Sequence, residues 1–118
     1  MFYSYDEKKI GKWIDGKDLY QKTIITPIVN GTIEYTITSG PFENVIFIEG
    51  LLDNNYIDGG FQYPIVTDGG YSSGTSKRYE VEKGTTENNS VITAHMGGIS
   101  FSEGDTYNLY TTIRYTKY

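Results

Sequence analysis

Apolar residues recur along this chain with a period of two, and nowhere with the roughly 3.6-residue period of an amphipathic helix. In TIEYTIT, Ile33, Tyr35 and Ile37 alternate with Thr32, Glu34, Thr36 and Thr38, the pattern of a half-buried strand. SKRYEVE sets Tyr79 and Val81 against Arg78, Glu80 and Glu82, and SVITAHM sets Ile92, Ala94 and Met96 against Val91, Thr93 and His95. Near the C-terminus, YNLYTTIRYTK carries Tyr107, Leu109, Ile113 and Tyr115 on one face and Asn108, Thr112, Arg114 and Thr116 on the other. NVIFIEGLL is apolar almost without a break, as a central strand covered on both faces is. With an opening hairpin these segments predict an all-β fold, a small antiparallel β-sandwich or barrel of about seven or eight short strands.

The hairpin is read from IGKWIDGKDLYQKTI, Ile10 to Ile24. Its Asp15-Gly16 pair predicts a two-residue type I′ turn. That register sets Trp13 opposite Asp18, Lys12 opposite Leu19, Gly11 opposite Tyr20 and Ile10 opposite Gln21. Trp13, Gly11 and Tyr20 then share one face, with the Tyr20 ring over bare glycine backbone. Ile10, Ile14 and Leu19 take the other. An isolated ribbon of this kind is not stable. One face packs on the domain's own core, and a second subunit is one physical cover for the other. The sole tryptophan is therefore assigned to packing.

Composition narrows the functional classes. At 118 residues the chain has the length of one domain, 1–118. A net charge of −5 argues against nucleic-acid and anionic-membrane partners, which call for clustered cations. Lys8, Lys9 and Lys12 lie beside Asp6 and Glu7 and read as a solvated face. Without cysteine there is neither a disulfide framework nor a cysteine zinc site. The N-terminus lacks the apolar stretch of a signal peptide, and the longest aliphatic run, Val45 to Ile48, is far too short to span a bilayer. Tyrosine is abundant and leucine scarce, which predicts an aromatic core with half-buried hydroxyls.

Catalytic signatures are sparse. His95 is the one histidine, and on a strand it reads as a hydrogen-bonded structural residue. No nucleophile elbow, phosphate loop or dinucleotide fingerprint occurs. Glu34, Glu49, Asp53 and Asp58 are the carboxylates nearest strands and are the candidates for a glycosidase pair, a reading disfavoured because any acidic chain supplies such pairs. DNNYIDGG, Asp53 to Gly60, has oxygen ligands at calcium-like spacing but misses the EF-hand pattern at Ile57 and Asp58, and reads as a turn. Asn30-Gly31-Thr32 and Asn88-Asn89-Ser90 match the glycosylation sequon and read as turns. The expectation is a protein that is not an enzyme and uses no cofactor or metal.

GKWIDGKDLYQKTI resembles the opening of a small domain at the C-terminal end of bacteriophage and prophage tail-fibre and tail-tip proteins, which start with G-x-WIDGKP-[LI]-Y-x-K-T and end with I-x-YTK. Here the opening is Gly11, Trp13, Ile14, Asp15, Gly16, Lys17, Leu19, Tyr20, Lys22 and Thr23, and the end is Ile113, Arg114, Tyr115, Thr116 and Lys117. Asp18 stands where the family often has proline. The resemblance spans the chain, but only the two end motifs are specific. It implies a virion component of the adsorption apparatus, an all-β and trimeric module beside other tail proteins, recognising a bacterial surface saccharide or surface protein. The chain is either the end of a longer fibre or a free-standing tail protein. Within that reading the candidate ligand residues are Asn54, Asn55, Tyr56, Asp58, Tyr63, Asp68 and Tyr71, in the stretch richest in Tyr, Asn, Asp and Gly. For each tyrosine, burial in the core or in a subunit seam is the competing assignment. The runner-up function is a trimerisation or capping module whose only partners are its own copies.

Overall fold

The computed structural model describes residues 4–28, 32, 34–53, 62–65, 77–96 and 107–118, with 62–65 and 77 described by their backbone. All eight elements are strands: β1 (Lys8–Lys12), β2 (Asp18–Ile28), β3 (Glu34–Gly40), β4 (Phe42–Asp53), β5 (Gln62–Ile65), β6 (Lys77–Glu82), β7 (Ser90–Met96) and β8 (Tyr107–Lys117). They form a five-stranded sheet in the order β1-β2-β8-β4-β5 and a three-stranded sheet in the order β3-β7-β6. Every pairing is antiparallel. The expected all-β sandwich is therefore observed, although β2, β4 and β8 are long, at 11, 12 and 11 residues.

The period-two reading of the chain maps onto burial. Along β7 the pattern is strict, with Ile92, Ala94 and Met96 at 0–1 % exposure and Val91, Thr93 and His95 half-buried. On β6 Tyr79 is buried while Glu80 and Glu82 are exposed. Leu109, Ile113 and Tyr115 of β8 face these residues together with Ile28 of β2 and Leu52 of β4, forming one core between the sheets. Tyr79 spans the gap, its hydroxyl 2.9 Å from Thr111 Oγ1. Outside the core, His95 Nε2 lies 2.9 Å from Glu80 Oε2, a cross-strand partnership on the smaller sheet.

Edges are managed with proline and charge. Pro27 lies where β2 has run past β1, and Pro64 lies on β5, the outermost strand of the large sheet. Proline is tolerated at such positions because an edge amide has no ladder bond to lose. One end of the sandwich is closed by small polar contacts. Ser90 Oγ donates to the Phe42 carbonyl at 2.6 Å and accepts from the Gly84 amide at 2.8 Å. The Tyr118 hydroxyl donates to the Gly84 carbonyl at 2.8 Å.

The hairpin departs from expectation by one residue. Gly16 N–H donates to the Trp13 carbonyl and Trp13 N–H to the Lys17 carbonyl, both at 2.9 Å. The loop is therefore three residues, Ile14-Asp15-Gly16, with Gly16 at φ 84°. A type I′ turn needs positive φ at both central residues, whereas this loop needs it only at the final glycine. The Asp15 carboxylate fixes the turn by accepting from the Lys17 amide at 3.0 Å. Consequently Lys12 faces Asp18 and Gly11 faces Leu19, then a bulge at Ile10 brings Lys9 opposite Tyr20. Ile14 is at the tip and 90 % exposed, so it belongs to neither face of the ribbon. Tyr20 stacks on Tyr115 at 6.0 Å between centroids instead of covering Gly11.

Two stability predictions follow from the buried polar atoms. Burial pushes Tyr79 up to about 12, with the Thr111 hydroxyl offsetting part of the rise. Tyr115 is held further above the ordinary phenol range, first by burial and then by the Glu7 carboxylate beside it. An unfolded chain gives up tyrosine protons near pH 10, so stability present below pH 10 is lost as the pH rises through 10 toward 12. A melting-temperature series across that window is expected to fall steadily, and more gently in Tyr79→Phe, which costs about 1–2 kcal/mol at neutral pH by orphaning the Thr111 hydroxyl. Thr116 Oγ1 is buried without a hydrogen-bond partner among the described residues. Thr116→Val, which keeps the shape and removes the orphan, is expected to match or raise the denaturant midpoint.

Candidate functional site

Each side chain on β8 that does not face the core points to the outer face of the large sheet, where strand register arranges rungs across β2, β8 and β4. One rung is Thr23, Thr112 and Glu49, and the next is Ile25, Tyr110 and Leu51. Thr23, Thr112 and Glu49 of the first rung, with Tyr110 and Leu51 of the second, floor a cleft of about 560 Å³ that Ser4 and Tyr5 wall on one side. The rung beyond Thr112 is Gln21, Arg114 and Phe47. There Arg114 Nε donates to Gln21 Oε1 at 2.8 Å, and the guanidinium carbon lies 4.5 Å from the Phe47 centroid.

The cleft mixes aromatic, apolar and uncommitted polar groups. Thr23 and Thr112 are buried and share a hydrogen bond at 2.8 Å between their hydroxyls. Tyr5 is 64 % exposed, and Tyr110 is half-buried. Neither phenol, nor the exposed Glu49 carboxylate, makes a hydrogen bond or ion pair among the described residues. Ligand sites are built this way, from apolar and aromatic surface with a few polar groups left to fix orientation. Glu49 is the only carboxylate among the described lining residues, and Glu34 lies on β3 in the other sheet.

The wall is tied down from behind. The Ser4 carbonyl accepts from the Thr23 amide at 2.8 Å, extending the ladder past β1. Three residues on, Glu7 turns to the inner side, where Tyr115 Oη donates to it and Lys117 Nζ approaches at 2.6 Å. Lys117 Nζ also lies 4.4 Å from the Tyr20 centroid, and Lys22 Nζ 5.2 Å from that of Phe42. Burial alone would raise the Glu7 carboxyl. The Lys117 and Tyr115 donors and the charges of Lys117 and Lys22 outweigh it and hold the group below its usual value.

Of the seven residues singled out from the sequence, one has a described backbone. Asn54, Asn55, Tyr56, Asp58, Asp68 and Tyr71 lie outside the described residues, as does the Asp53–Gly60 stretch beyond Asp53. The Tyr63 backbone, on β5, pairs with Leu52 of β4. Sequence reasoning weighed Glu49 only as an acid catalyst and passed over Tyr5, Tyr110 and Leu51. For Tyr110 the signal was present: it is an aromatic residue at a position of β8 whose neighbours in phase, Asn108 and Thr112, are polar. Tyr5 had no such signal, because the stretch containing it shows no periodicity. The two end motifs, by contrast, come together: Tyr20 pairs with Tyr115, Gln21 with Arg114 and Lys22 with Ile113. No protein-family model, curated protein or solved structure matches the chain.

Glu7→Gln tests the clasp behind the wall. A carboxylate whose folded value is lowered contributes stability that is full above its unfolded value of 4.5 and lost as pH falls through the lower folded value. The wild type is expected to lose melting temperature below about pH 5, and Glu7→Gln to melt slightly lower at neutral pH with a flatter acid limb. The neutral-pH loss stays under about 1 kcal/mol because solvent screens so exposed a pair.

Proposed function

We propose that this chain is a receptor-binding module of a bacteriophage tail fibre, and that it holds a saccharide of the bacterial surface in the cleft floored by Tyr110, Thr112, Glu49 and Leu51. The observation that carries the recognition half is the cleft, with two phenols and a carboxylate left without partners beside apolar surface. Sugar rings present C–H faces that suit tyrosine and hydroxyl edges that suit threonine and glutamate. The viral half rests on the resemblance of the opening and closing stretches to tail-fibre domains. The register pairing of those stretches supports treating them as one structural unit. In this reading the protein attaches the virion to its host and carries out no bond-breaking chemistry.

A structural role remains the second reading, favoured by Ile14 standing 90 % exposed at the hairpin tip, where another copy or another tail protein would cover it. Binding of the purified chain to intact bacteria and to a panel of cell-wall and capsular oligosaccharides separates the two. Under the saccharide reading Tyr110→Ala weakens binding tenfold or more, about 1.4 kcal/mol, with the unfolding midpoint little changed. Failure to bind cells or glycans, together with a stable trimer by light scattering that Ile14→Ser dissociates, assigns the structural role instead.

A further inference from the structure

We propose that the cleft reads a pair of adjacent hydrogen-bond donors on a sugar edge through Glu49, and so selects neutral or amino saccharides over acidic ones. This rests on the saccharide reading above and names its ligand class. A carboxylate accepts hydrogen bonds at both oxygens and donates none. Glu49 has no partner among the described residues, so its acceptor capacity is left to a ligand. No cation among the described lining residues balances it.

The nearest cation in register on this face is Arg114, one rung away, and it is committed to Gln21 and to the Phe47 ring. The threonine pair adds little donor capacity, because one hydroxyl proton is spent between Thr23 and Thr112. A uronate or phosphate entering the cleft would place a second anion beside an uncompensated carboxylate, in a chain of net charge −5. Two neighbouring hydroxyls, or a hydroxyl and an ammonium, satisfy the same carboxylate with two short charge-assisted bonds. Tyr110 and Leu51, on the next rung, lie alongside to take the ring's apolar face. Specificity then arises as much from the repulsion of the wrong sugar as from attraction to the right one.

The test uses the whole chain on a panel of oligosaccharides of matched length: neutral hexose polymers, their glucosamine counterparts and their uronic-acid counterparts. Binders are expected among the neutral and amino members, with acidic counterparts at least tenfold weaker at low salt. Glu49→Gln keeps the shape and removes the charge. It is expected to weaken neutral and amino ligands about tenfold and to narrow the gap to the acidic ones, with an unchanged denaturation midpoint. Two results overturn the inference while leaving saccharide binding intact: acidic members binding best, or Glu49→Gln changing neither affinity nor the ratio while Tyr110→Ala abolishes binding. If no member of the panel binds, the saccharide reading fails and this inference fails with it.

Discussion

The structure depends on β8, a strand hydrogen-bonded along both edges, with one face in the core and the other on the outer side of the large sheet. Its pairings with β2 and β4 run over most of its length and hold the large sheet together. Leu109, Ile113 and Tyr115 are fully buried toward the smaller sheet, while Tyr110 and Thr112 form the floor of the outer cleft. One strand thus builds core and cleft at once, and alternation divides the two tasks residue by residue. A slip of one residue would exchange the two faces, so the register that stabilises the fold is also what assembles the cleft.

Much of this architecture was legible because the core residues alternate cleanly. In β6 and β7 the polar and apolar positions assigned from sequence keep their sides, whereas in β3 a bulge between Thr36 and Thr38 breaks the alternation and sets Thr38 opposite the buried Ile92. The hairpin loop is one residue longer than its Asp-Gly pair predicts, for a specific reason. Asp-Gly satisfies both a two-residue turn and the last two positions of a three-residue loop, and sequence alone does not separate them. The cleft was less visible still. It is assembled from Ser4 and Tyr5 at one end of the chain, Thr23, the middle of β4, and Tyr110 and Thr112 near the other end. Only sheet order brings these together, and sheet order is a long-range property that local periodicity does not carry. The loops stand out by composition, whereas a tyrosine on the outer face of a strand looks like any other strand residue.

Polar groups are placed with the same economy. The Tyr79–Thr111 contact joins the sheets across the core, Ser90 closes one end, and Glu7 gathers Tyr115 and Lys117 at the edge. Each satisfies a hydroxyl that an aromatic-rich sequence would otherwise bury at a cost. Thr116 is the exception among the described residues, and it lies next to the residue that holds Glu7. The clasp matters beyond stability, because the segment it anchors is also the wall of the cleft.

The single tryptophan has a practical consequence. Trp13 lies at the mouth of the hairpin loop, beside an edge strand whose only sheet partner among the described residues is β2. Edge elements with few buried contacts open at lower free energy than the centre of a sheet. Indole emission from this protein is therefore a local gauge that registers fraying of the hairpin, while ring-current and near-ultraviolet signals from the packed tyrosines register the loss of the centre. Two spectroscopic colours in one small chain follow the rim and the middle of the sheet separately.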